Sequence, residues 1–86
     1  MDKQSRKMAI ASYCAMTCAE GGFHKFLSER FAHYADGAEY NKNLAGVFVK
    51  DWCGISSRSE LNVEGPARDK WLRLQAQYQD WFSVPL

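Results

Sequence analysis

The chain has 86 residues, with 11 basic and 10 acidic side chains for a net charge of +1, and carries 3 Trp, 4 Tyr and 5 Phe. That length supports one domain, residues 1–86, and a domain so small hides only roughly 60–65% of its unfolded surface, so aromatic side chains must fill its core efficiently. The charge balance excludes a strongly basic nucleic-acid binder and an acidic nucleic-acid mimic, the aromatic content argues against disorder, and no stretch approaches the ~20 apolar residues of a membrane span.

No segment alternates apolar and polar residues over strand length, so every element is expected to be helical. The first helix is expected over Lys3–Ala19, capped by Asp2 and stopped by Gly21-Gly22, with Ile10, Tyr13, Cys14, Thr17 and Cys18 as its inward stripe. Lys3, Arg6 and Lys7 continue that stripe into the first turn, where cations oppose the helix dipole. A solvated, frayed turn accounts for them; contact with an anion is the functional reading. The second helix is expected over Phe23–Ala35, with Phe23, Phe26, Leu27, Phe31 and Tyr34 inward and Asp36-Gly37 at its end. The third is expected over Glu39–Cys53, with Tyr40, Leu44, Val47, Phe48 and Trp52 on one face and Gly54 as its stop. Gly46 sits inside it, which a close approach by a neighbouring helix would explain. Ser57 and Glu60 have capping-box spacing, and Ile55 and Leu61 flank the box like a hydrophobic staple, so a short helical turn is expected over Ser57–Leu61. Pro66 suits the first position of a last helix reaching Phe82, with Trp71, Leu74, Tyr78, Trp81 and Phe82 inward. The fold class is all-α, a compact bundle of four helices plus a short helical turn.

The chemistry of the sequence favours binding over catalysis. Cys14, Cys18 and Cys53 are an odd count, and no signal peptide is read at the N-terminus, so free thiols in a reducing cytoplasm are expected. Cys14 and Cys18 with His24, His33 and Cys53 form a conceivable zinc set, but no C-x-x-C pair is present and both helix cysteines lie in an apolar stripe, where Cys packs as a small hydrophobe. Cys53 ends a helix, where the dipole disfavours a thiolate. The carboxylate pairs Asp36/Glu39 and Glu60/Glu64 flank turns, Glu20-Gly21-Gly22-Phe23 lacks the lysine of a phosphate loop, and Ser56, Ser57 and Ser59 lack a nucleophile elbow. The expectation is no enzyme, no metal and no cofactor. What remains is surface: Lys70, Arg73 and Gln77 run down the outward side of the last helix, with Arg68, Arg58 and Lys50 near them in sequence, and together they suggest a modest basic stripe for phosphates. A solvated helix face laced with Asp69 and Asp80 is the plain alternative.

The run Asp51-Trp52-Cys53-Gly54-Ile55-Ser56-Ser57-Arg58-Ser59-Glu60-Leu61, followed by Trp71 and Trp81, resembles small uncharacterised proteins of tailed bacteriophages and prophages, over the C-terminal third to half of the chain. The resemblance implies an early-region accessory protein acting in the cytoplasm of a bacterial host, and it transfers no residue-level role. The expected function is non-catalytic binding to nucleic acid, or to a host protein that processes it, as in DNA recombination or replication. The candidate surface is Lys50, Arg58, Arg68, Lys70, Arg73 and Gln77, with Lys3, Arg6 and Lys7 as the second choice. The alternatives are an inhibitor of a host defence or nuclease complex, anti-CRISPR in type and acting by steric occlusion, and a structural partner-binding module.

Overall fold

The computed structural model describes residues 9–83. In chain order it has α1 (Ile10–Cys18), α2 (Gly21–Arg30), the single turn α3 (Ala32–Ala35), α4 (Lys42–Cys53), a 3-10 turn (Arg58–Asn62) and α5 (Pro66–Phe82). No strand occurs among the described residues, so the chain is an all-α bundle. α5 packs on α4 and α2, and the 3-10 turn is wedged against both α1 and α5.

Local chemistry explains most of the boundaries. The Asn41 side chain accepts a hydrogen bond from the Leu44 N–H at 2.8 Å, so α4 begins at Lys42 rather than at Glu39. The box at Ser57 forms as its spacing predicts: the Glu60 carboxylate accepts from the backbone N–H groups of Ser56 and Ser57, and the Ser57 hydroxyl accepts from that of Ser59. Ile55 packs against the core and Leu61 is fully buried, which holds the turn down. Arg68 clamps the end of the same turn by donating to the carbonyls of Leu61 and Asn62. The Asn62 side chain in turn accepts the Ala11 N–H at 3.0 Å, satisfying one of the orphan donors at the start of α1. Pro66 opens α5 as expected.

Two expectations fail for tertiary reasons. Gly21-Gly22 does not stop a helix but forms the first turn of α2. A Cβ on Gly22 would lie 2.9 Å from the Tyr78 hydroxyl, which donates to the Glu20 carboxylate at 3.0 Å, so the missing side chain admits a contact from α5. The expected helix over Phe23–Ala35 is broken at Phe31, whose backbone leaves helical geometry at φ −134°, ψ 41°. Its ring turns inward onto Phe26, Phe48 and Trp52, and its carbonyl accepts the Tyr40 hydroxyl at 2.8 Å. Aromatic burial and a replacement hydrogen bond offset the missing helix bond there.

The core joins Cys14 and Cys18 of α1, Phe23, Phe26 and Leu27 of α2, Phe48, Val49 and Cys53 of α4, Leu61 of the turn, and Trp71, Leu74 and Tyr78 of α5. Five residues expected inward are exposed instead: Tyr13, Tyr34, Val47, Trp52 and Phe82. Tyr13 lies beside the buried arc of α1, Trp52 lies beside Cys53 in the last turn of α4, Val47 lies on the face of α4 opposite its buried arc, Tyr34 sits on the turn α3, which has no buried residue, and Phe82 ends α5. A bundle this small encloses only a narrow arc of each helix, so flanks and ends stay in solvent.

Two phenols are pushed up to about 12, Tyr78 by burial and by its bond to Glu20, and Tyr34 by its bond to Asp51. The fold favours their neutral forms. That contribution is complete below the ordinary phenol value of 10.0 and is lost as pH rises toward about 12. The urea midpoint is therefore expected to fall across this alkaline window, and Tyr78→Phe to make the fall shallower. A Tyr78→Phe profile parallel to that of the parent would contradict the assignment.

Candidate functional site

Along α5 the buried residues are Trp71, Leu74 and Tyr78. Lys70, Arg73 and Gln77 each precede one of them by a single position, which places the row about 100° around the helix from the core. All three are exposed, as the sequence expectation has them, on the flank of α5 rather than directly opposite its core face. The row borders the seam with α4, where it lines a cleft of about 430 Å³ together with Trp52.

Trp52 stands near the C-terminal end of α4. Its indole stacks on Phe48 at 5.7 Å between ring centroids and meets Phe31 edge-on at 5.2 Å. Those contacts fix the ring, yet 38% of the residue stays exposed. The cleft thus combines a positioned aromatic surface, two cations and one side-chain amide. It is suited to hold a flat ligand that carries negative charge: the indole offers area for stacking, the cations offer charge, and the amide both donates and accepts. Sequence reasoning misses Trp52 because its place in the apolar stripe of α4 reads as core. The available signal is its position at the edge of that stripe, one residue before the buried Cys53.

The other candidates do not join this cleft. Lys50 and Arg58 line a separate one of about 260 Å³ with Lys42, Asn43, Gly46 and Val47. Arg68 is engaged with the carbonyls of the 3-10 turn. Lys3, Arg6 and Lys7 lie outside the described residues. The single basic stripe expected from sequence is therefore two clefts and a structural clamp.

The cysteines are 0%, 1% and 4% exposed at Cys14, Cys18 and Cys53. The Cys14 thiol is pushed far up by its hydrogen bond with Cys18 and by burial, while that same bond and the neighbouring Arg58 guanidinium lower Cys18 against its burial. Burial pushes Cys53 up, with Lys70 acting in the opposite sense. His24 is tied to the Cys18 carbonyl through Nε2 at 2.7 Å. Among the described residues no three His, Cys, Asp or Glu side chains come together as a metal-binding group, and no helix is long and apolar enough to cross a membrane. Comparison with protein families, with curated proteins and with solved structures finds no match to this chain.

Proposed function

We propose that the protein is a non-catalytic accessory factor of phage type that binds single-stranded nucleic acid in the cleft between α4 and α5. The observation that carries this reading is the shared placement of Trp52 with Lys70 and Arg73 around one cavity. Stacking of a base on an aromatic ring, with cations on the adjoining phosphates, is the general mode of single-strand binding. Gln77 adds an amide at the same wall that can bond to base edges. A net charge of +1 implies that affinity resides in this local arrangement and not in a long-range field. Single strands arise during recombination and replication, the setting implied by the resemblance to phage early-region proteins.

Titration with oligothymidylate, followed by anisotropy of a labelled strand, tests the proposal. Trp52→Leu preserves an apolar contact with Phe48 while removing the stacking surface, and is expected to cost about 1–3 kcal/mol of binding. Lys70→Gln and Arg73→Gln are each expected to flatten the log–log salt dependence by about 0.7 for each phosphate that is no longer neutralised. Absence of oligonucleotide binding at low salt would redirect the cleft to a protein partner. An inhibitor of a host defence or nuclease complex and a partner-binding module then become the readings to pursue.

A further inference from the structure

We infer that the cleft lined by Lys42, Asn43, Gly46, Lys50 and Arg58 is a second binding site, specific for a phosphoryl group. This inference does not depend on the reading of the Trp52 cleft. It starts from Gly46, a buried glycine in the interior of α4. Glycine there costs about 1 kcal/mol relative to alanine, so an alanine would be expected unless its methyl were in the way. A Cβ at this position would lie 2.9 Å from Arg58 Nη1, the far end of a flexible side chain, so the glycine lets the guanidinium lie directly against α4 and an added methyl would shift it outward.

Arg58 is delivered to that place by the 3-10 turn, whose own stability does not use it. The turn is fixed by the Ser57–Glu60 box, by buried Leu61 and by the Arg68 clamp. On its inner side the guanidinium neighbours Cys18, whose thiol the hydrogen bond with Cys14 and this guanidinium together draw below its ordinary value against the effect of burial. On its outer side it shares the cleft with Lys42 and Lys50, and no carboxylate is among the described residues lining the cavity. Arg58 and the two lysines place three cations around one cleft, where they repel one another, and among the described residues no carboxylate or carbonyl accepts from the guanidinium fork. An incoming oxyanion reverses both penalties. The guanidinium fork matches a phosphoryl group bidentately, the lysines supply further charge, and the Asn43 amide offers another donor. The cavity volume of about 260 Å³ lies below the roughly 300–1,000 Å³ of pockets for whole drug-sized ligands, which selects a compact group.

The phosphoryl group belongs either to a nucleic-acid backbone or to a free phosphate or phosphomonoester, and one experiment separates these sources. The full chain, labelled with nitrogen-15, is titrated with inorganic phosphate at ionic strength held constant with chloride. The Gly46 amide and the Arg58 side-chain N–H signals are followed. Saturable shifts at both are expected, together with at least about a tenfold weaker response in Lys42→Gln/Lys50→Gln. In a parallel arm, oligothymidylate that shifts the same signals more strongly than inorganic phosphate, at equal phosphate concentration, identifies a backbone phosphate as the ligand. A response confined to phosphate or to a phosphomonoester identifies the free group. Trp52→Leu is expected to leave the inorganic phosphate response intact, which keeps the two clefts separable. Shifts that fail to saturate, or a folded double variant with the parent's response, would overturn the site. If the double variant loses helicity, Lys42→Gln alone supplies the same comparison, because that side chain is exposed at the first turn of α4.

Discussion

Trp71→Ala is expected to cost ~3–5 kcal/mol, a large share of the about 5–15 kcal/mol that holds a small domain together. Trp71 is 0% exposed and meets Phe23 edge-on at 6.2 Å between centroids, at the junction of α2 and α5. Truncation opens a cavity in a bundle with little other core to close around it. Two comparisons give the result its meaning. Trp52→Ala should cost less, because more than a third of that residue is already in solvent. Trp71→Phe should cost less than the change in volume alone implies, because the buried indole Nε1 has no hydrogen-bond partner among the described residues and its removal relieves that deficit. Thermal and urea melts followed by circular dichroism give all three values. A Trp71→Ala protein that melts with its parent would mean that the α2–α5 seam is not the centre of the core.

What the sequence makes legible is local. The Ser57–Glu60 box, Pro66 at the start of α5 and the extent of α5 to Phe82 all follow from neighbours within a few positions; the Asn41 cap, equally local, shortens α4 against expectation. The other failures are contacts between residues far apart in sequence. Nothing near Phe31 breaks a helix; the break is explained by Tyr40 bonding its carbonyl and by Phe48 and Trp52 receiving its ring. Gly22 reads as a terminator until Tyr78 is placed against it, and Gly46 awaits a neighbouring helix until Arg58 fills that place. The site follows the same division. Lys70, Arg73 and Gln77 are legible as a row at helical spacing, but not which side of α5 faces α4. Trp52 reads as core because periodicity identifies the centre of a stripe better than its margin, and the margin is where a small bundle leaves aromatics exposed. Arg58 reads as one member of a surface stripe; its place against Gly46 leaves it half-buried instead.

Leu61→Ala is expected to cost ~2–5 kcal/mol and to act on function through one cleft only. Leu61 is the fully buried residue of a five-residue 3-10 turn, an element too short to persist without tertiary support. The turn carries three connections outward: Asn62 to the Ala11 N–H, the Leu61 and Asn62 carbonyls to Arg68, and Arg58 to its place against Gly46. Loosening its anchor therefore exposes the start of α1 and releases Arg58 from the phosphoryl cleft. Hydrogen exchange at Ala11 is expected to accelerate more than exchange in the middle of α5. Below the melting transition, the phosphate response at Gly46 should weaken, whereas oligonucleotide binding at Trp52, Lys70 and Arg73 should persist. Leu61→Met is the control, because a volume-conserving exchange costs under about 1.5 kcal/mol and keeps the anchor. If Leu61→Ala lowers stability yet leaves Ala11 protected and the phosphate response unchanged, the turn serves the core alone, and Arg58 must be held by α4 without it.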